Sequence, residues 1–203
     1  MALVLVDQDG VLADFERGVL DAFRVRHPDA PYIELTNRRG FYVREQYPPE
    51  WTNSINQIVR GEGFYRGLPV IKGGRAALEE MLTDGHDVFL CTAPMASSRW
   101  SAQEKLAWIE QHLGQSWLRR TILTPDKTLV GDRLQPCVLI DDRPRITGAA
   151  IPPWTHVLFD APYNRGERGP RLSSWAGWRA VLEPVLAAQR REREAGVTGS
   201  SGR

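Results

Sequence analysis

The N-terminal sequence LVLVDQDG, at residues 3–10, places two carboxylates directly after a short apolar run. Such a run with β-branched residues is typical of a strand buried on both faces. Open α/β sheets bind ligands at the carboxyl ends of their strands, so Asp7 and Asp9 are predicted at a ligand-binding edge. Carboxylates this close repel each other unless a cation or a proton intervenes, and Mg²⁺ favours such oxygen ligands. A solvated Asp-Gly turn is the alternative.

Four further apolar runs predict strands at residues 87–92, 121–124, 137–140 and 156–160. Amphipathic stretches at residues 14–26, 73–82, 101–113 and 174–189 predict helices between and after them. Strands that alternate with helices indicate an α/β fold with a doubly wound parallel sheet. The sequence therefore predicts a five-stranded parallel sheet of this kind.

Residues 15–68 interrupt the alternation with a helical or loop-like segment that is rich in aromatic and arginine residues. The segment is too long for a simple crossover between parallel strands. We interpret it as a small helical cap inserted after the first strand, with residues 1–14 and 69–189 forming the core domain. Residues 190–203 are charged and then Gly/Ser-rich, which predicts a disordered tail.

Bulk properties exclude several classes of protein. The net charge of +1 over 203 residues gives no reason to expect a nucleic-acid polymer or a membrane surface as partner. A transmembrane helix would need an apolar run of about 18 residues, and the sequence has none. Cys91 and Cys137 both lie in predicted buried strands, so we expect reduced thiols in a cytoplasmic protein.

Further polar residues follow the other predicted strands, namely Thr92, Lys127, Asp141 and Asp142. Each has an ordinary structural explanation, because Thr92 and the aspartates could cap the following turns and lysines are usually exposed. Right-handed crossovers, however, bring the carboxyl ends of parallel strands to one edge. We therefore expect these residues to form one site with Asp7 and Asp9.

This set of side chains suits phosphoryl transfer. A carboxylate can attack phosphorus to form an aspartyl-phosphate, and a second one can protonate the leaving alcohol and then activate water. A lysine and a threonine hydroxyl can hold the phosphate oxygens. Phosphate monoester hydrolysis needs accelerations that reach about 10²¹-fold, which explains a metal together with several charges.

The order of these motifs resembles the haloacid-dehalogenase-like (HAD) phosphatases. More closely, DQDGVLADFE, RRGFYVREQY, FLCTAP, LTPDKT, LIDDRPRITGA and SSWAGWRAVL resemble the 5'(3')-deoxyribonucleotidases of that superfamily. The likeness extends over residues 1–189, and the cap motif RRGF-x-x-x-EQY is specific to that group. The resemblance implies a Mg²⁺-dependent phosphatase with a nucleoside monophosphate as substrate, and it leaves a homodimer open.

The resemblance also implies a role for each acid. Asp7 would be the nucleophile and Asp9 the general acid/base. Mg²⁺ would be held by Asp7, by the backbone carbonyl of Asp9 and by Asp142, with support from Asp141.

Substrate contacts are implied in the same way. Thr92 and Lys127 would bind the phosphate, with Lys105 and Arg143 as further candidates nearby. The base and sugar would lie against Phe15, Phe41, Tyr42 and Val43. Aromatic faces stack on bases with about 1–3 kcal/mol each in single-strand binders, although packing of the cap on the core is the alternative role for these rings.

Three positions depart from the family pattern. Gln8 replaces the usual apolar residue between the acids, Ala93 stands where the animal enzymes have serine, and Val59 falls where some members have a pocket tryptophan. None of these changes removes a catalytic group.

Two other functions remain as alternatives. One is a HAD-type phosphatase that acts on another small phosphate ester. The other is a receiver-like phospho-acceptor switch, which also clusters Asp, Thr and Lys around Mg²⁺ but has no large insertion after its first strand. A P-loop enzyme is disfavoured because no G-x-x-x-x-G-K-[ST] motif is present.

Overall fold

A computed structural model describes the backbone of residues 1–200 and the side chains of residues 1–195. Its strands are β1 (Leu3–Val6), β2 (Asp87–Thr92), β3 (Thr121–Leu123), β4 (Cys137–Asp141), β5 (Thr155–Phe159) and β6 (Arg171–Leu172). They form one six-stranded sheet in the order β3-β2-β1-β4-β5-β6, and every pair is parallel. The fold is therefore α/β with a doubly wound parallel sheet, as the sequence predicts.

Strand β1 lies at the point where the strand order reverses. Val6 pairs with Leu90 of β2 on one side and with Ile140 of β4 on the other. The chain builds β2 and β3 outward in one direction and then returns to build β4, β5 and β6 in the other. Ligands of open α/β sheets bind outside the carboxyl ends of the strands at such a switch point, which is where Asp7 follows β1.

The described residues form five α-helices: α1 (Phe15–Arg26), α2 (Pro49–Arg60), α3 (Gly74–Thr83), α4 (Ser101–Leu113) and α5 (Trp178–Ser200). The largest apolar cluster joins the sheet to α3, α4 and α5. Strand β1 is buried on both faces, because Val4 and Val6 belong to that cluster and Leu5 packs in another with Leu139 and Trp154. No helix in the described part of the chain is both long and apolar enough to cross a bilayer.

The segment between β1 and α3 leaves and re-enters the core at one place. Asp14 N donates to Pro69 O at 2.7 Å, and Ile71 N donates to Leu12 O at 2.8 Å. Between these crossings, α1 and α2 enclose an apolar cluster of their own, formed by Val19, Phe23, Val43, Tyr47, Ile55, Ile58 and Val59. A segment with its own small core and adjacent ends can pack over the sheet edge as a unit.

Two expectations about the ends of the fold need correction. The sheet has six strands instead of five, because the two-residue β6 pairs with β5. The predicted tail is helical as far as Ser200, since α5 continues through residues 190–200. Arg, Glu and Ala have high helix propensity, and extending an existing helix adds a hydrogen bond per residue. The rest of the predicted tail, residues 201–203, lies outside the described residues.

Candidate active site

The turn after β1 positions the first two acids. Asp7 N donates to Ile140 O at 2.9 Å, which continues the β1–β4 ladder by one residue. The Gln8 carbonyl then accepts from the next backbone amides, including those of Leu12 and Ala13 at 2.8 Å each. Gly10 turns the chain at φ +74°, a conformation that glycine adopts without steric cost. Asp7 and Asp9 consequently face the same space beyond the sheet edge.

Lys127 links the ends of β1 and β4. It follows β3 in a short 3₁₀ turn, and its Nζ lies 2.8 Å from Asp7 Oδ1 and 2.6 Å from Asp141 Oδ2. Burial opposes the charge of Lys127, but Asp141 and Asp7 outweigh burial and raise its pKa above the ordinary value. Lys127 is therefore a fixed positive charge at the floor of the site.

Lys105 supplies a second cation on the other side of Asp9. It projects from α4, is 1% exposed, and lies 2.7 Å from Asp9 Oδ2. Its Nζ also donates to Thr92 Oγ1 at 3.0 Å, at the end of β2. Burial raises the pKa of Asp9, and Lys105 opposes that rise. A raised pKa favours the protonated carboxyl that a general acid needs.

Three acids from the ends of β1 and β4 form a cluster. Asp7, Asp141 and Asp142 each offer a carboxylate oxygen, and these oxygens lie within 4.8 Å of one another. Burial raises the pKa of Asp141, and burial together with Asp141 and Asp7 raises the pKa of Asp142 well above its ordinary value. A divalent cation would relieve this repulsion, and clustered carboxylates are the donor set that Mg²⁺ prefers.

Gly10 makes room for the last of these acids. A Cβ at Gly10 would lie 2.0 Å from Asp142 Oδ2, so only glycine lets the β1 turn and this carboxylate approach each other. The oxygen also accepts a hydrogen bond from the Tyr163 hydroxyl. The Asp142 carboxylate is thus held in one position, and the residues present fit a metal ion at this edge.

A cavity of about 420 Å³ opens above these groups. All the residues that the sequence predicts for the site line it: Asp7, Asp9, Phe15, Phe41, Tyr42, Val43, Thr92, Lys127 and Asp142. The centroids of the Phe41 and Tyr163 rings lie 5.8 Å apart, and the angle between the ring planes is 77°. The Arg143 guanidinium lies over the Phe41 ring, 5.3 Å from its centroid. The polar floor therefore continues into an aromatic wall contributed by residues 15–68.

A buried ion pair also borders the cavity. Glu16 lines it, and Glu16 Oε2 lies 2.8 Å from Nε of Arg38, which is almost completely buried. Burial raises the pKa of Glu16 to about 7, although Arg38 opposes the rise. Arg38 is the first arginine of the RRGF motif, and Glu16 lies in the first turn of α1.

Sequence reasoning underrated one of these residues and missed two others. Lys105 is only a further candidate in the sequence, yet its spacing from buried Trp108 on α4 indicates a buried face. Tyr163 follows β5 in the turn Pro162–Asn164 and could have been found by applying the sheet-edge rule to the fifth strand. For Glu16, the helical pattern gives no signal that separates it from exposed acids.

The three departures from the family pattern have different surroundings. Gln8 is fully buried, and its Nε2 donates to Lys105 O at 3.3 Å, so its side chain ties the β1 turn to α4. Ala93 and Val59 both line the cavity. Ala93 directly follows β2, and Val59 lies on α2.

Comparison with known proteins identifies the family. The family model described as 5' nucleotidase, deoxy (pyrimidine), cytosolic type C protein (NT5C) matches residues 1–190. The human cytosolic 5'(3')-deoxyribonucleotidase is 42% identical over 201 residues, covering 93% of this chain and 97% of that protein. The human mitochondrial enzyme of the same name is 45% identical over 190 residues, covering 89% of this chain and 82% of that protein.

Solved structures agree at the level of the fold. A HAD family hydrolase from Deinococcus radiodurans, with bound phosphate and sodium, matches with a TM-score of 0.61 at 17% identity, covering 91% of this chain and 96% of that one. The sheet topology, the acidic edge and the match over nearly the whole chain lead to one assignment. This chain belongs to the family of 5'(3')-deoxyribonucleotidases and shares the fold of HAD hydrolases.

Proposed function

We propose that this protein removes phosphate from (deoxy)ribonucleoside monophosphates in a Mg²⁺-dependent reaction that passes through an aspartyl-phosphate on Asp7. Its family makes it a hydrolase of phosphoric monoesters. One observation supports the substrate most directly: the charged floor, with Asp7 and Lys127, and the aromatic wall, with Phe41 and Tyr42, share one cavity. Such a cavity suits a ligand with a phosphate at one end and a planar base at the other.

In the first half of the proposed reaction, a carboxylate oxygen of Asp7 attacks phosphorus and the ester bond to the nucleoside oxygen breaks. Asp9, protonated at the start, donates its proton to that leaving oxygen. In the second half, Asp9 takes a proton from water, the water oxygen bonds to phosphorus, and the bond to Asp7 breaks to release phosphate. Asp9 ends protonated, so the cycle is balanced.

The cations hold the phosphate during both halves. Lys127 and Thr92 would bind its oxygens, and Lys105, 2.7 Å from Asp9 and 3.0 Å from Thr92, joins them in this role. Fixed charges in an enclosed site stabilise the charge that develops on the transferred group without reorganising. Each acid has its own lysine, because Lys127 contacts Asp7 and Lys105 contacts Asp9.

The metal would be held by Asp7, by the backbone carbonyl of Asp9 and by Asp142, with Asp141 in support. When bound, Mg²⁺ supplies neutralisation of the phosphate oxygens and fixes their direction. The raised pKa values of Asp141 and Asp142 support this proposal, because Lys127 beside Asp141 does not offset the burial of these acids and the repulsion between the neighbouring carboxylates.

Residues 15–68 are proposed to act as the cap that selects the base. Phe15, Phe41, Tyr42 and Val43 would contact the base and sugar from that segment, while residues 1–14 and 69–189 provide the chemistry. The smaller Val59 leaves more room at the wall than the tryptophan of some relatives. We propose the cytoplasm as the compartment, because Cys91 and Cys137 are free and buried and burial raises the pKa of Cys91 to about 12.

A phosphate-release assay over a panel of phosphomonoesters tests this function. With Mg²⁺ present, deoxyuridine and thymidine monophosphates are expected to be hydrolysed faster than sugar phosphates. A non-nucleotide ester that is turned over far faster would contradict the nucleotide substrate and leave the phosphatase chemistry standing. A phosphoaspartate that persists for hours without turnover would instead indicate a phospho-acceptor switch. Light scattering on the same sample tests for the homodimer.

A further inference from the structure

The turn after β5 holds Asp142 from two sides. Pro162–Asn164 forms a 3₁₀ turn at the same sheet edge as the acids. The Tyr163 hydroxyl donates to Asp142 Oδ2, and Asn164 Nδ2 donates to the Asp142 carbonyl at 2.8 Å. Asn164 Nδ2 also donates to Phe159 O at 2.7 Å, which fixes the turn to the end of β5. Two consecutive residues of one turn therefore position both the backbone and the carboxylate of Asp142.

Tyr163 is the main restraint on that carboxylate. Among the described residues, it is the one side chain that donates a hydrogen bond to an Asp142 carboxylate oxygen. The Gly10 backbone lies close to the same oxygen, since a Cβ at Gly10 would be only 2.0 Å from it. The Tyr163 hydroxyl and the Gly10 backbone therefore both restrain Oδ2. Residues that hydrogen-bond to a metal-binding carboxylate fix its direction and change the affinity for the metal.

The other end of Tyr163 reaches the wall of the cavity. Its ring stands edge-on to Phe41 with centroids 5.8 Å apart, and Phe41 in turn contacts Tyr42 at 5.3 Å. Tyr163 itself lines the cavity. One side chain therefore touches both a carboxylate of the acidic cluster and an aromatic residue of the segment 15–68.

We propose that Tyr163 is a positioning residue that holds Asp142 for binding a divalent cation and supports Phe41 against the base of the substrate. The inference rests on the proposed function for the second role alone, because the first concerns the metal and the protein without substrate. The hydroxyl of Tyr163 holds Asp142 for the metal, and its ring packs against Phe41. A substitution that removes only the hydroxyl should therefore change metal binding, and one that also removes the ring should change substrate binding as well.

Two variants separate the roles. Tyr163→Phe removes the hydroxyl and keeps the ring, whereas Tyr163→Leu removes both. Tyr32→Phe is a matched control, since Tyr32 is exposed and lies outside the cavity. Each protein is titrated with MgCl₂ alone in a calorimeter, and KM and kcat for deoxyuridine monophosphate are then measured at saturating Mg²⁺.

Tyr163→Phe is expected to bind Mg²⁺ about 10–100-fold more weakly, the usual cost of losing such a hydrogen bond, with KM for the nucleotide unchanged. Tyr163→Leu is expected to show the same loss for Mg²⁺ and a raised KM as well. Mg²⁺ affinity within twofold of wild type in Tyr163→Phe would overturn the inference. If the wild-type protein binds Mg²⁺ but does not hydrolyse nucleotides, the proposed substrate is wrong while the metal titration still decides the role of the hydroxyl.

Discussion

Gly10 shows how a single residue without a side chain decides the geometry of the site. It has φ +74° and leaves 2.0 Å between its missing Cβ and Asp142 Oδ2. Two costs would follow from any side chain there, a strained backbone and a displaced carboxylate. The sequence predicts the turn from the glycine, but the contact with Asp142, 132 positions later in the chain, depends on the register of β1 with β4.

Gly10→Ala is expected to lose at least tenfold in Mg²⁺ affinity, because the new methyl group pushes Asp142 away from Asp7. The strained backbone should also cost about 1–2 kcal/mol of stability. Gly85→Ala is the matched control, since Gly85 has φ +83° and an added Cβ there would meet no atom within 4 Å. Urea unfolding should show the cost of backbone strain in both variants, and MgCl₂ titration should show weaker metal binding in Gly10→Ala alone. Equal metal binding would contradict this account of Gly10.

Asp7→Asn tests the proposed nucleophile. An amide cannot form the acyl-phosphate, so kcat is expected to fall by on the order of 10⁴-fold or more, the scale seen when a nucleophile is removed. The amide has nearly the same shape, so the circular dichroism spectrum should stay that of the wild type. Turnover near the wild-type rate would show that another group attacks phosphorus.

Glu16 should give the stability of the protein a pH dependence. Its pKa is about 7 in the folded protein against 4.5 for the ordinary group. The folded state thus binds more protons over this interval, and the free energy of unfolding falls as pH rises through it.

Glu16→Gln removes this titration, so the variant should lose less stability than wild type between pH 5 and pH 7. The expected difference is about 1–2 kcal/mol, since each pH unit across the interval contributes at most about 1.4 kcal/mol. Urea unfolding of both proteins at the two pH values measures it. Parallel pH profiles would mean that Arg38 keeps Glu16 charged in the folded state.

At the scale of elements, α4 anchors the C-terminal end of the segment 15–68. Glu104 is buried, its Oε1 accepts from Gly63 N at 2.5 Å, and its Oε2 accepts from Tyr65 N at 3.0 Å. The adjacent Lys105 reaches Asp9 and Thr92. One helix therefore positions both Lys105 at the sheet edge and the C-terminal end of the segment 15–68.

Glu104→Ala is expected to destabilise the protein by about 1–3 kcal/mol, because the backbone amides of Gly63 and Tyr65 lose their hydrogen-bond acceptor. Glu110→Ala, an exposed position on the same helix, serves as the control and should change stability by less than about 0.5 kcal/mol. Urea unfolding compares the two. A small effect at Glu104 would show that water replaces its carboxylate.

The elements differ in how well their sequence predicts them. The spacing of apolar residues predicts residues 87–92 and 101–113 as the structure has them, because these segments are long and their ends have clear signals. Strand β6 has two residues, which is too few for any periodicity, and it exists because β5 offers a free edge. Helix α5 extends past the apolar pattern because helix-forming residues follow a packed segment.

For the molecule as a whole, topology explains why a site so dispersed in sequence can be predicted. The acids, Thr92 and Lys127 follow four different strands, and a parallel sheet brings the ends of those strands together. The same rule does not give the direction of side chains in the loops. The rule and the helix spacing point to the turn that contains Tyr163 and to a buried face at Lys105, but the contacts of Tyr163 with Asp142 and of Lys105 with Asp9 become visible only in three dimensions.

Removal of Mg²⁺ tests the whole arrangement, because the ends of β1 and β4 meet at acids whose charges repel. Dialysis against EDTA is expected to stop turnover, and added MgCl₂ should restore it. Saturating Mg²⁺ at about 100 times its Kd would stabilise the fold by about 2.7 kcal/mol, which for a chain of this size raises Tm by about 5–10 °C. KCl at the same ionic strength is the control and should restore neither turnover nor the higher Tm. Full activity after dialysis, or an unchanged Tm, would mean that Lys127 and Lys105 alone neutralise the acids, and the metal would then have no place in the mechanism.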